Sequence, residues 1–235
     1  MASFKRGSAD PLVEGSITSL ASRRAHAERV AVYLDGSRTF DLAVVVVEVA
    51  GLRVGDRLSV GDQERLLEQD APYRARERAV HLLAVRDRSC HEVRLRLQQA
   101  GFSPAVVEGT VAWLVGLDYL DDARFAARYS VEKARSGWGP RRIGAELARK
   151  GVERKLVGEV LSGEGSEPAG GAEGIAALTT LARRRFGAQL DRDPQGGSRR
   201  LAGFLGRRGY DWDTIHAVLR ELEAETPAVE NGPLP

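Results

Sequence analysis

Three glycines, each set in the same apolar pattern, restrict the fold of this chain more than any other feature. Around Gly101, Gly151 and Gly209, apolar residues stand eight and four positions before the glycine and one, six and ten positions after it. The matching positions are Val93, Leu97, Phe102, Val107 and Val111; Ile143, Leu147, Val152, Val157 and Leu161; and Leu201, Leu205, Tyr210, Ile215 and Leu219. Recurrence at intervals of 50 and 58 residues predicts tandem copies of one supersecondary unit.

Each copy is predicted to be three short helices. Apolar residues four apart give a helix one buried stripe, and glycine in the left-handed conformation is a common helix end. The first helices are predicted over about 73–86, 121–135 and 174–187. Start signals for the middle helices are Ser89, Pro140 and Ser198, and Ser103 and Asp211 open two of the last helices. Because so small a unit cannot bury its stripe alone, the units are expected to stack.

The first 70 residues follow a different pattern. Val30 to Leu34, the dipeptide Asp35-Gly36 and the β-prone pair Thr39-Phe40 predict a hairpin, and Ile17 to Leu20 can add a strand. The segment 41–69 predicts two short helices, although the apolar run from Leu42 to Val47 fits a helix or a strand equally well.

These patterns predict a mainly α fold, with three tandem three-helix repeats after a small N-terminal α+β domain. The α+β domain is placed at 14–68. The first unit is placed at 72–118, the second unit at 119–162 and the third unit at 174–224. Residues 1–13 and 225–235 are predicted to be disordered, and the glycine-rich segment 163–173 is predicted to be a flexible linker.

The charges are segregated although the net charge is only +2. The chain has 31 arginines and 4 lysines. Basic residues outnumber acidic ones by seven to three over 74–96, by ten to three over 124–155 and by eight to two over 183–208. A single basic block is typical of a solvated helix face, but three blocks favour a polyanion or an acidic protein as partner.

No combination of residues in the sequence predicts catalysis. The single cysteine, Cys90, excludes an internal disulfide and a cysteine-based zinc cluster, and the four histidines lack metal-ligand spacing. Neither a phosphate-binding loop nor a dinucleotide fingerprint occurs, and the pair Asp121-Asp122 fits a helix N-cap. The sequence also lacks an apolar run of about 20 residues, the length of a membrane-spanning helix. We therefore expect a cytoplasmic protein that is not an enzyme, binds no metal or cofactor and does not enter membranes.

Basic side chains opposite the apolar stripes are the candidates for partner contact. Arginine offers a planar fork that suits phosphate and carboxylate groups. On the first helix of the second unit, Phe125 and Tyr129 are expected to be core, whereas Arg124 and Arg128 flank that stripe. Trp138 could stack on bases, as could Tyr129 if it were not core. The candidates are Arg94, Arg96, Arg124, Arg128, Arg141, Arg142, Arg149, Lys150, Arg199, Arg200, Arg207, Arg208 and Trp138.

Two segments, one across the start of the second unit and one inside it, resemble the RecX family of bacterial regulatory proteins. LDYLDDARFAARY (117–129) matches the family element G-Y-[LI]-[DN]-D-x-x-[FY]-A, with Asp118 where the family usually has glycine. GWGPRRIGAELARKGV (137–152) matches G-x-x-[RK]-[IL]-x-x-E-L-x-x-[KR]-G-[IV]. The segment 17–40 is similar to the N-terminal extension of many members, so the resemblance covers about 15–224.

The resemblance implies three tandem three-helix repeats in an elongated, curved array, and a regulator of the RecA recombinase. Such a regulator binds RecA and the filament that RecA forms on single-stranded DNA, favours filament disassembly, and suppresses strand exchange, ATP hydrolysis and co-protease activity. We expect a monomer that binds DNA directly only weakly. The alternative is a sequence-specific DNA-binding regulator, since three-helix units with a basic helix resemble helix-turn-helix modules. Gln98 and Gln99 are the base-reading amides of the middle helices and occur only in the first unit, so the arginine-rich faces favour phosphate or carboxylate contact.

Overall fold

The structure is a computed structural model that describes residues 11–22, 28–162 and 171–224. The predicted disordered ends and the predicted linker lie wholly or largely outside these residues. Within them the chain is mostly helical, with ten helices and a small N-terminal sheet. The described residues up to Leu120 form one compact body, and those from Asp121 onward form another.

The predicted hairpin and the additional strand are both confirmed. Strands β1 (Gly15–Ser22), β2 (Arg29–Leu34), β3 (Ser37–Ala43) and β4 (Arg57–Leu58) form an antiparallel sheet in the order β3-β2-β1-β4. The turn between β2 and β3 is Asp35-Gly36, where both residues have positive φ, 47° and 82°. This is the backbone conformation that a two-residue hairpin turn requires.

The ambiguous run from Leu42 to Val47 is divided between a strand and a helix. Strand β3 ends at Ala43, and helix α1 (Val44–Ala50) begins at the next residue. The Ala43 amide donates to the Asp70 carboxylate over 2.7 Å, which fixes the end of the strand against the next helix. Local sequence cannot place this division, because the acceptor lies 27 residues away.

Helix α2 (Val60–Val85) begins much earlier than the predicted start near 73. Ser59 and Asp62 form a capping box at its N-terminus, and the helix continues through Pro72. The prediction of two short helices over 41–69 is therefore wrong for the second of them, which is the N-terminal half of α2. Proline inside a helix costs about 3 kcal/mol. That cost is offset on both sides of Pro72, where Leu67, Ala71 and Ala75 are buried.

A buried carboxylate holds α2 against the sheet. Asp70 is fully buried, and one of its oxygens lies 2.7 Å from the Arg29 guanidinium of β2 and 3.5 Å from Arg74. Arg29 also contacts Glu77 over 3.1 Å. These contacts flank Pro72 and bind the helix to β2 as a continuous element.

In the described part of the chain, nine helices make the three units. The first unit contains the C-terminal half of α2 with α3 (Cys90–Gln99) and α4 (Pro104–Gly116). The second unit contains α5 (Asp122–Arg135), α6 (Pro140–Arg149) and α7 (Arg154–Ser162). The third unit contains α8 (Ala172–Arg192), α9 (Pro194–Arg207) and α10 (Trp212–Ala224). Ser198, predicted to cap the last middle helix, lies inside α9, because Asp193 caps that helix by accepting from the Gly196 amide over 2.9 Å.

The three repeated glycines lie just after the middle helices, as predicted. Their φ angles are 87°, 76° and 88°. At Gly101, the glycine amide donates to Gln98 O over 2.9 Å and the Phe102 amide donates to Leu97 O over 3.3 Å; the same pair of bonds recurs at Gly151 and Gly209. This is the Schellman arrangement, in which a left-handed residue satisfies the last helical carbonyls. Asp118 takes the same role after α4 with a φ of 57°, at the position where the RecX pattern has glycine.

The repeated apolar positions form the cores of the units. Twelve of the fifteen are buried, and the remaining three, Phe102, Leu161 and Leu219, are half-buried. Each unit buries its own cluster around the middle helix, with Leu97, Leu147 and Leu205 at 0% exposure. The apolar positions that repeat three times in the sequence are thus the positions that pack together in each unit.

The carboxylate of Asp211 caps the N-terminus of α10. It accepts from the Thr214 amide over 2.8 Å, and hydrogen bonds from that amide and from the Thr214 hydroxyl lower the pKa of Asp211 below its usual 3.8. A lowered pKa in the folded state means that the stabilisation is present above pH 3.8 and is lost as the pH falls through the folded value. We expect Asp211→Ala to lower the free energy of unfolding by about 1 kcal/mol at pH 7. Urea unfolding at pH 7 and pH 2.5 measures this; a loss as large at pH 2.5 as at pH 7 would contradict the role.

Candidate partner-binding surface

The first helix of the second unit divides core from surface as its sequence predicts. Phe125 and Ala126 are buried at 7% and 0% exposure, and Tyr129 is half-buried and stacks on Phe125 with ring centroids 5.9 Å apart. Arg124 and Arg128 are exposed on the other side of α5. Burial raises the pKa of the Tyr129 hydroxyl, and the nearby Lys133 ammonium opposes that rise.

In the first unit, each of the two candidate arginines contacts a neighbouring side chain, which reduces its availability for a partner. Arg94 forms an ion pair with Glu108 of α4, with Nε 2.9 Å from a carboxylate oxygen. Arg96 is exposed and donates to the Gln99 side-chain oxygen over 3.3 Å. The charge of the Arg94 guanidinium is therefore partly balanced within the protein.

The second unit carries cations over aromatic rings at the start and at the end of α6. Arg141 and Arg142 are both exposed, and the Arg142 guanidinium lies 3.8 Å from the centre of the Trp138 ring. At the other end, Arg149 pairs with Glu146 over 2.6 Å. Lys150 is half-buried, with its ammonium 5.3 Å from the centre of the Tyr129 ring.

Of the four candidate arginines in the third unit, three are exposed to solvent and one turns inward. Arg199, Arg200 and Arg207 are exposed on α9. Arg208 is half-buried: its guanidinium donates to the Gly137 carbonyl over 3.1 Å and lies 4.6 Å from the centre of the Phe204 ring. The expectation that every candidate arginine projects outward is therefore wrong for Arg208, because the second unit offers it a carbonyl.

The structure brings candidates of two units together around the start of α6. Trp138 and Arg142 of the second unit lie beside Arg208 of the third unit, which binds the Gly137 carbonyl. Arg141 is close enough to Asp211 to contribute to the lowering of its pKa, after the larger effect of the Thr214 hydrogen bonds. The surface therefore joins guanidinium groups and aromatic rings from both units.

Two cations of this surface were missed by the sequence analysis. Lys133 lies 5.1 Å from the Tyr129 ring centre and 5.6 Å from that of Trp138, and Arg185 lies 4.8 Å from that of Phe204. The spacing of four between Tyr129 and Lys133 could have revealed the first, because such residues are neighbours on a helix. Arg185 and Phe204 lie on different helices, so only the fold pairs them.

The N-terminal body contains an open cavity of about 1010 Å³ between the sheet and α2. Its lining mixes both signs of charge: Arg29 pairs with Asp70 and Glu77, and Arg38 pairs with Asp41 over 2.6 Å. Over residues 11–22, 28–162 and 171–224, the structure holds no group of three or more histidine, cysteine or acidic side chains that could bind a metal ion. None of the helices in those ranges is long and apolar enough to cross a membrane.

Comparison with known proteins places these units in one family. Models of the first, second and third three-helix domains of RecX match residues 75–114, 121–161 and 172–219 in that order. The regulatory protein RecX of Clostridium acetobutylicum is 27% identical over 90% of this chain and 98% of its own length. That of Cronobacter sakazakii is 34% identical over 63% of this chain and 91% of its own length.

Solved structures share the fold. A crystal structure of regulatory protein RecX has a TM-score of 0.64 and 19% identity over 88% of this chain and 99% of that one. RecX from Lactobacillus salivarius has a TM-score of 0.59 and 20% identity over 66% of this chain and 99% of that one. Since the three family domains match in order and together cover more than half of the sequence, the chain belongs to the RecX family of regulatory proteins.

Proposed function

We propose that this protein binds RecA and the filament of RecA on single-stranded DNA, and that it inhibits recombinase, ATPase and co-protease activity by favouring filament disassembly. The observation that carries the proposal is the display of exposed arginines on the middle helices of a RecX-family chain, above all Arg141, Arg142, Arg199 and Arg200. Guanidinium forks bind carboxylates and phosphates, the anionic groups of a nucleoprotein filament.

The mechanism uses binding energy and involves no covalent step. Each exposed arginine contributes little alone, but units joined in one chain engage several anionic groups at a high effective concentration. If this multisite contact is strongest with a filament geometry that does not support growth, it shifts the balance from assembly to net disassembly. We also propose that it acts in the cytoplasm as a monomer without a cofactor, in the regulation of DNA repair and the SOS response, and that its direct binding to DNA is weak.

A second candidate function is sequence-specific duplex recognition. Its support is the three-helix unit with an arginine-bearing middle helix, as in helix-turn-helix modules. Against it, the exposed glutamines of the described middle helices are Gln98 and Gln99 on α3 and Gln195 on α9, and these helices otherwise offer mainly arginine. A basic face of this composition suits contact with phosphates rather than recognition of bases.

Co-sedimentation with filaments distinguishes the two functions. We expect the protein to sediment with RecA filaments on single-stranded DNA, with an affinity that falls as salt rises because counterions are released. Single-stranded DNA without RecA is the control and should retain far less protein. On duplex DNA, nuclease footprinting should show no discrete protected segment. Failure to sediment with filaments, together with a discrete footprint, would contradict the proposal and favour the alternative.

A further inference from the structure

Helix α6 begins without a side-chain cap of its own. The middle helices of the other units are capped by Ser89 and Asp193, whereas the N-cap of α6 is Gly139, which has no side chain to accept a hydrogen bond. The first amides of a helix need acceptors from outside it. For α6 such acceptors cannot come from the side chain of its N-cap residue.

The third unit supplies those acceptors. The Gly139 amide donates to the Arg208 carbonyl over 2.7 Å, and the Arg141 amide donates to the Gly209 carbonyl over 3.1 Å. Pro140 has no amide hydrogen and therefore needs no acceptor. The positive N-terminal end of α6 thus meets two carbonyls of the turn that follows α9, beside the negative C-terminal end of the α9 dipole, which is a favourable arrangement.

Two glycines allow the backbones to come this close. A Cβ on Gly209 would lie 2.5 Å from the Arg142 amide nitrogen and 2.5 Å from the Arg142 Cβ. A Cβ on Gly139 would lie 2.4 Å from the Gly209 carbonyl carbon. Such distances require the two segments to move apart, because the nearest atoms are main-chain atoms and the Arg142 Cβ, and none of these can rotate out of the way.

The contact fixes the same residues that we place in partner binding. Gly209 packs against the backbone of Arg142, whose guanidinium stacks on Trp138. The Gly209 carbonyl also accepts a hydrogen bond from the Arg141 amide. The Arg208 guanidinium donates to the carbonyl of Gly137, the residue before Trp138. The direction in which Arg141 and Arg142 leave the surface is therefore set by the end of α9, about 70 residues later in the chain.

We propose that Gly209 is a positioning residue for the Arg141–Arg142 pair. Through it, the third unit sets the direction in which these two arginines of the second unit face the partner. This inference rests on the proposed function for its partner, but its structural part concerns the isolated protein. It predicts that a side chain at the junction disturbs the Arg142–Trp138 stack and weakens inhibition, although no binding residue is removed.

The test uses Gly209→Asn, with Gly51→Asn as a matched control. Asparagine tolerates positive φ better than other side chains, so the main effect at position 209 is the added Cβ. Gly51 has a φ of 64° and nothing within 4 Å of an added Cβ. Because Gly139 has an ordinary φ of −82°, Gly139→Ala opens the same contact from the α6 side without backbone strain and serves if Gly209→Asn fails to fold.

The readout in the free protein is the fluorescence of Trp138, measured in full-length chains that carry Trp113→Phe and Trp212→Phe. Arg142→Ala in that background gives the emission expected for a lost stack. We expect Gly209→Asn and Gly139→Ala to shift the emission in the same direction, and Gly51→Asn to leave it unchanged. The half-inhibitory concentration in a RecA ATPase assay should rise about tenfold for the two junction variants, comparable to the loss of one contact to a charged group, and stay constant for Gly51→Asn.

Emission and inhibition that both match the parent would overturn the inference, as would a shifted emission with unchanged inhibition. A parent protein that fails to inhibit RecA would refute the proposed function instead. The emission of the junction variants would still report whether Gly209 positions the Arg142–Trp138 pair.

Discussion

Replacing Phe125 by alanine should destabilise the second unit by about 3–5 kcal/mol, the usual cost of removing a buried aromatic side chain. Phe125 is 7% exposed and lies in the cluster that contains Ala126, Ile143 and Leu147. The cavity left by its ring would lie within this cluster, which is the core of a small unit. We expect inhibition of RecA to disappear because the unit unfolds. Urea unfolding followed by circular dichroism measures the loss.

The matched control is the double substitution Arg124→Ala and Arg128→Ala on the same helix. Both side chains are exposed, so the free energy of unfolding should change by no more than about 0.5 kcal/mol for each substitution. Filament binding should weaken all the same, because two cations are lost. A Phe125→Ala protein that unfolds like the parent but does not inhibit would show that the aromatic ring, and not the arginines, faces the partner.

Reversing the charges of Arg141 and Arg142 should abolish inhibition while the protein stays folded. Both residues are exposed, and the loss of the Arg142–Trp138 stack should cost only about 0.5–1 kcal/mol. Arg149 and Lys150 are left unchanged, because the first pairs with Glu146 and the second lies over the ring of Tyr129. Binding to single-stranded DNA should also lose part of its salt dependence, since fewer counterions are released.

The control for this pair is Arg154→Glu with Lys155→Glu. These are adjacent, exposed cations at the start of α7 in the same unit, and their reversal changes the net charge by the same amount. Inhibition and thermal melting are measured on the same preparations of both double variants. Equal loss of inhibition in the two would mean that net charge alone matters, and a folded Arg141→Glu, Arg142→Glu protein that inhibits like the parent would refute the assignment.

Features of the fold that depend on neighbouring residues were predictable from the sequence. The glycines at 101, 151 and 209 end helices because a left-handed residue must follow each apolar stripe, and both signals lie within a few residues. The hairpin at Asp35-Gly36 is equally local. By contrast, the course of α2 through Pro72 depends on contacts of Asp70 with Arg29, which stands 41 residues away.

The candidate surface shows the same division. Helical spacing placed Arg124 and Arg128 on the exposed side of α5 and Phe125 in the core. It could not show that Arg208 turns inward, because its acceptor at Gly137 lies 71 residues earlier in the chain. It also could not show that α6 is capped by the third unit, since Gly139 appears in the sequence only as a residue before proline.

The ATPase activity of RecA on single-stranded DNA, titrated with this protein, tests the central claim most directly. If one molecule contacts several protomers and favours disassembly, ATP hydrolysis should fall at amounts well below one molecule per RecA protomer. The Arg141→Glu, Arg142→Glu protein should have little effect over the same range. ATP hydrolysis that stays unchanged up to an equimolar amount of the parent protein would contradict the account.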